Sequence, residues 1–118
     1  MSAIDNLDAN LNRMIIEGKI LEAFDAFYSD DVEMQENGNP PTVGKPANRK
    51  LHEEFVASLK ELHGATLVHH AINGDVSFSE WLFDYTLQTG ERQQLAEVAV
   101  RAWRDGKVWR ERFYYQGE

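Results

Sequence analysis

Apolar side chains recur at Ile4, Leu7, Leu11, Met14 and Ile15, a spacing that gathers them on one helical face. It predicts a helix over 4–16, capped by Ser2 or Asp5 and ended by Gly18. A second helix is expected over 19–28, with Leu21, Phe24, Phe27 and Tyr28 inward, closed by a Ser29-Asp30-Asp31 turn. Val32–Glu36 then alternates as a short strand, with Val32, Met34 and Glu36 on one face. Residues 37–41 (Asn-Gly-Asn-Pro-Pro) form a loop, and Gly44-Lys45-Pro46 opens a third helix. Its stripe is Leu51, Phe55, Leu59 and Leu62, and His63-Gly64 ends it. Beyond it the period falls to two. Strands are expected over 65–72, 75–88, 92–104 and 107–116, separated by Asn73-Gly74, Thr89-Gly90 and Asp105-Gly106. Helices first and strands after predict an α+β domain over 1–118, a curved antiparallel sheet wrapped around three helices as a cone with an internal pocket.

Hairpin turns fix register, and register fixes faces. Two-residue turns at Thr89-Gly90 and Asp105-Gly106 put Ser79, Trp81, Phe83, Tyr85, Ala96, Val98, Val100, Ala102, Trp109, Glu111, Phe113 and Tyr115 on one face. This face is apolar apart from one charge and is assigned inward. The other face carries Phe78, Leu82, Trp103 and a ladder of Glu80, Glu97, Arg101, Arg110 and Arg112, and is assigned to solvent or a homodimer contact. Pairing across Asn73-Gly74 adds Val68, His70 and Ile72 to the inward face. Asn12 lies off the first helix's stripe and is expected in solvent. A bulged turn at either later glycine would shift the parity.

Thirteen aromatics among 118 residues supply a core large enough to need no staple, and the chain has no cysteine for a disulfide or thiolate site. The net charge of −8 argues against nucleic acid and anionic membranes as partners. No apolar run reaches the length of a membrane span, and the basic-then-apolar start of a signal peptide is missing, so a cytoplasmic location is expected. No phosphate loop, nucleophile triad or metal-ligand spacing is found, and no cofactor is expected.

Glu111, among Trp109, Phe113, Val98 and Val100, is the principal candidate acid or base, because an apolar setting raises a carboxyl's pKa toward neutrality. The alternatives are that it reaches solvent or is neutralised by an arginine. Glu36, beside Met34 and before the 37–41 loop, is the second carboxyl, or else a strand-end group in water. His70 either shuttles a proton or is an ordinary core or edge histidine. Trp81, Phe83, Tyr85, Trp109, Phe113 and Met34 are candidate ligand walls, or simply core.

Phe27-Tyr28-Ser29-Asp30-Asp31-Val32, Gly44-Lys45-Pro46-Ala47 and Asp105-Gly106-Lys107-Val108, in this order and spacing, resemble the SnoaL-like members of the nuclear transport factor 2-like superfamily. The resemblance implies a curved sheet on helices, usually as a homodimer. Residues 109–114 resemble the last strand of limonene epoxide hydrolase-like members, which places Glu111 where a water-activating carboxylate stands and Met34 and Glu36 where two water-holding residues stand. The arginine and aspartate partners of that carboxylate would fall near Trp81 and Phe83. The resemblance to ketosteroid isomerase places its base at Glu36, its oxyanion-hole tyrosine near Leu11 and its protonated aspartate near Ala99 or Glu97. SnoaL-type cyclases require a single acid–base carboxylate, which Glu111 or Glu36 would supply.

These readings converge on a pocket protein for a small apolar molecule, an isomerase, cyclase or hydrolase working by proton transfer. The alternative is a non-catalytic ligand-binding or dimerisation domain.

Overall fold

The computed structural model describes residues 3–116, so Ser2 as a helix cap lies outside the described residues. Three helices, α1 (Ala3–Ile16), α2 (Ile20–Phe27) and α3 (Lys45–Ser58), pack on one six-stranded sheet. Its strands are β1 (Tyr28–Glu36), β2 (Thr42–Val43), β3 (Leu59–Asn73), β4 (Val76–Leu87), β5 (Arg92–Arg104) and β6 (Lys107–Tyr115), in the order β2-β1-β6-β5-β4-β3. All neighbours are antiparallel except β1 and β6, which run parallel, so the sheet is mixed and open. The α+β class and the curved sheet on three helices hold; the all-antiparallel sheet is corrected by this one pair.

One core cluster joins Leu11, Phe24, Tyr28, Val32, Trp103 and Val108 between the helices and the β1–β6–β5 side. A second, around Ala65, Trp81 and Ala99, sits over β3–β5, and Ile15 and Phe113 pack against both. The start of α3 is held by Asn48, which is buried and donates through Nδ2 to the carbonyls of Gly44, Thr42 and Val32 at 2.8, 2.9 and 3.2 Å. Gly44, at φ +98°, takes a left-handed conformation that other residues resist.

The third helix ends four residues before Leu62. Leu59 is already extended, and the stretch expected to finish the helix is the start of β3. Bulges between Leu59 and Glu61 and between Leu62 and Gly64 explain the misreading. Each inserts one extra residue, so Leu59, Leu62 and Ala65 face the same way, opposite Leu87, Tyr85 and Phe83. A bulged strand repeats every three residues, close enough to a helical stripe to pass for one.

Three turns set the faces. The β3–β4 turn is Gly74-Asp75, one residue later than expected, so His70 opposes Ser79 and Ile72 opposes Ser77. The β4–β5 loop is three residues long, with Leu87 N–H donating to Glu91 O at 2.8 Å and Gly90 at φ +92°. The extra residue moves β5 by one against β4: Trp81 opposes Glu97, Ser79 opposes Ala99 and Ser77 opposes Arg101. Asp105-Gly106 is a two-residue turn with both φ positive, but a bulge follows at once. Trp103 opposes Val108, Ala102 opposes Arg110, and Trp109 is the supernumerary residue.

The inward face of β5 is therefore Glu97, Ala99, Arg101 and Trp103, not Ala96, Val98, Val100 and Ala102. Arg101 and Trp103 are 1% and 3% exposed, and Val98 is exposed. The bulge restores the parity of β6 beyond it, so Glu111, Phe113 and Tyr115 keep the orientation expected of them.

Candidate functional site

Between the concave sheet face and the helices lies a cavity of about 450 Å³, within the range of small-molecule sites. Trp81, Phe83 and Tyr85 reach it from β4, Phe24 and Tyr28 from α2 and the start of β1, and Phe55 from α3. Trp81 and Phe83, two residues apart on one face, stack with centroids 5.4 Å apart, and Phe55 meets Tyr85 edge-on at 5.7 Å. Trp81 Nε1 donates to Ser79 Oγ at 2.9 Å, so the indole's polar edge is satisfied away from the hollow. Met34 and Phe113 complete part of the wall, and Asn39 and Pro40 of the 37–41 loop lie at its rim.

Glu111 lines the cavity, 1% exposed. Neither of its oxygens is idle. Arg101 Nε donates to Oε2 at 2.9 Å, and the Tyr28 hydroxyl donates to Oε1 at 2.5 Å. Of the two alternatives for Glu111, neutralisation by an arginine is the one the geometry takes, and the arginine is one the sequence pattern predicts on the outer face. Arg101 continues inward, donating through Nη1 to Asp8 Oδ1 at 2.9 Å and Asn12 Oδ1 at 2.6 Å. Ser77 Oγ also donates to Asp8 Oδ1, and Trp103 Nε1 donates to Ser77 Oγ. Asn12, expected in solvent, is 4% exposed and part of this network.

Burial alone would depress the Arg101 pKa, but Glu111 and Asp8 overcome it and hold the guanidinium charged. Burial, reinforced by the Glu111 charge, pushes the Tyr28 hydroxyl well above its ordinary value, so it stays a donor. Among the described residues no buried side-chain nitrogen or oxygen lacks a partner.

Glu97 is the cavity carboxyl that the sequence pattern predicts on the wrong face. It lies between Trp81 of β4 and Tyr115 of β6 and faces the cavity. Its pKa is pushed up to about 7, first by burial and then by the charges of Glu111 and Glu36, with Arg101 opposing. Among the described residues none donates a hydrogen bond to its carboxyl. Only the three-residue turn would have revealed it, and Gln88-Thr89-Gly90 carries a glycine where either turn length accepts one.

Glu36 is exposed at the cavity mouth and accepts a hydrogen bond from the Tyr115 hydroxyl at 2.9 Å. Burial and this contact raise the Tyr115 pKa to about 12. Two expected wall or shuttle residues are elsewhere. Trp109, displaced by the bulge, is half-buried under the Arg104 guanidinium, 4.7 Å from its ring centre, and lies outside the lining. His70 is exposed on edge strand β3, also outside the lining. His52 of α3, by contrast, lines the cavity, its Nδ1 2.8 Å from Asn48 O. Among the described residues no cluster of histidine and carboxylate side chains has metal-binding geometry, and no helix is long and apolar enough to cross a membrane.

The chain is similar to a crystal structure from Mesorhizobium loti named as a candidate SnoaL-like polyketide cyclase. The two share 27% identity over 97% of this chain and 100% of the other, with a TM-score of 0.83. A second candidate SnoaL-like polyketide cyclase, from Jannaschia sp. CCS1, has 10% identity, covers 98% of this chain and 90% of its own, and has a TM-score of 0.82. A candidate isomerase from Bacillus subtilis has 17% identity, the same coverages and a TM-score of 0.80. At those lower identities the likeness is one of fold. No curated protein matches the chain. A family model described as the SnoaL-like domain matches residues 3–115, and the chain therefore belongs to the SnoaL-like domain family.

Proposed function

We propose that the chain binds a small molecule with a largely apolar body in this cavity and moves a proton on it, with Glu97 as the acid or base. The observation that carries this is one carboxyl on an aromatic wall with, among the described residues, neither a paired cation nor a hydrogen-bond donor of its own. Its pKa of about 7 suits a group that must both take and return a proton near neutral pH. Glu111 is the less suited group, since Arg101 and Tyr28 already occupy its oxygens. In this reading its charge, with that of Glu36, helps keep Glu97 protonatable. The small molecule is an expectation of the family and of the cavity's size.

The reaction class is tested by hydrogen exchange into a simple ketone such as cyclohexanone in D₂O. The α C–H bond breaks, the proton passes to Glu97, the electron pair moves to the enolate oxygen, and a deuteron returns to carbon. Wild-type protein should accelerate exchange relative to Glu97→Gln, with a rate that rises through pH of about 7 as the carboxylate forms. Equal rates in the two proteins would reject the proton-transfer role. A non-catalytic binding domain would then be the better reading.

We also propose that the outer sheet face joins two copies of the chain. Its revised membership supports this: Trp103 leaves the face, while Phe78, Leu82, Val98 and Tyr114, each 37–44% exposed, share it. Val98 lies opposite Tyr114, with Phe78 and Leu82 on the neighbouring strand. Contiguous apolar surface of this kind marks an interface. Sedimentation velocity should give a dimer that Val98→Glu shifts toward monomer. A wild-type monomer at millimolar concentration would remove the interface.

A further inference from the structure

The cavity is lined by hydrophobic and aromatic groups, yet its charge is one-sided. Arg101 is the sole guanidinium or ammonium group among its lining residues, and it is shared between Glu111 and Asp8. That buried trio therefore carries one negative charge in excess when both carboxyls are ionised. Glu97 and Glu36 add two more carboxyls, and no lysine is among the described residues that line the space. A neutral apolar ligand would leave this charge uncompensated in a medium of low dielectric, where like charges repel most strongly. A carboxylate or phosphate ligand would add to it.

From this geometry we infer that the ligand carries a single positive charge: an ammonium group, on an apolar body, seated against the Glu97 carboxyl and the faces of the surrounding rings. The inference rests on the reading of the cavity as a small-molecule site and adds the ligand's charge. Trp81, its stacked neighbour Phe83, and Tyr85 lie on the strand beside Glu97. Their ring faces attract cations, and a cation pairs with a carboxylate without needing the directional donor that Glu97 lacks. The lining also supplies aliphatic side chains, Leu11, Ile15 and Leu95, for the ligand's apolar body.

Charge on the ligand also couples to charge on the protein. The groups facing Glu97 are Glu111 and Tyr115 from β6, Glu36 from β1, Tyr85 from β4 and Arg101 from its own strand. From the helices, His52 of α3 lines the same cavity. A bound cation favours the Glu97 carboxylate, so ligand binding and loss of the Glu97 proton assist each other.

Two probes of one shape decide the matter: benzyltrimethylammonium, whose charge does not titrate, and its neutral carbon isostere neopentylbenzene. Binding is followed by calorimetry and by the Trp81 fluorescence signal, with Trp103→Phe and Trp109→Phe replacements to isolate it. At pH 8 the cation should bind about tenfold or more tightly than the isostere, as cation–π contacts and a carboxylate together predict. Its affinity should fall several-fold by pH 5.5, while the isostere's stays level. Glu97→Gln should remove the pH dependence and cut the preference several-fold, to the part that the ring faces supply. Equal affinities, or a preference undiminished in Glu97→Gln, would overturn the inference while leaving a small-molecule cavity in place. Failure of both probes to bind at millimolar concentration would overturn it together with that cavity reading.

Discussion

Arg101→Met is expected to cost about 3–5 kcal/mol of folding stability, the usual consequence of leaving buried carboxylates without their cation. The guanidinium reaches Glu111, Asp8 and Asn12 from one buried position, so a single substitution strands two acids in the core. Methionine fills similar volume, so the loss would be electrostatic more than steric. Urea unfolding of the purified variant at pH 7 measures it, and a cost under about 1 kcal/mol would show that the network does not hold the helix to the sheet. Arg101→Met combined with Glu111→Gln should recover part of the loss. The coupling between the two positions is the quantity that separates a shared ion pair from two independent effects.

Glu97→Gln should act in the opposite direction. In the unfolded chain the carboxyl titrates near its ordinary value of 4.5, and in the folded protein near 7. Below pH 4.5 both states hold the proton, and the charge contributes nothing. Between these values the folded protein keeps a proton that the unfolded chain has released, so wild-type stability falls as the pH rises. Above pH 7 the full penalty remains. Glutamine is neutral throughout and avoids it. The variant should therefore match the wild type near pH 4 and exceed it by about 1–3 kcal/mol at pH 8, an interval taken below the full pKa difference because Glu97 is partly exposed. Urea midpoints at the two pH values check this, and a gap that does not widen with pH would place the Glu97 charge in water. Stability gained by removing a group is also what a functional carboxyl in an apolar wall should show.

The sequence carried the architecture further than it carried the site. Helical stripes at Leu7-Leu11-Met14, the Asp105-Gly106 hairpin and the alternation of Val32 and Met34 were each set by local pattern, and each stands. The site depended on which way β5 faces, and that turns on one residue of loop length at Gln88-Thr89-Gly90. A glycine with positive φ serves a two-residue and a three-residue hairpin alike, so the sequence left the choice open. The β5 parity was consequently reversed, and Glu97, Arg101 and Trp103 were sent outward. Glu111 was placed correctly only because a second departure, the bulge at Trp109, cancels the first along β6. Its partner was invisible for the same reason. The carboxylate was legible as inward, while the arginine that neutralises it sat on a strand read backwards. The parallel pairing of β1 with β6, which brings Glu36 and Met34 to the cavity, joins segments about eighty residues apart and leaves no local trace.

The bulge at Trp109 has a consequence of its own. Successive side chains on a strand point to opposite sides, so a supernumerary residue acts as a two-position selector for everything beyond it. Pairing that tryptophan into the ladder opposite Ala102, with no bulge, would turn residues 111, 113 and 115 toward the convex surface and bring Arg110, Arg112 and Tyr114 into the hollow, replacing an acidic lining with a basic one. Ligand preference in such a sheet is thus exposed to a one-residue slip of register as much as to substitution.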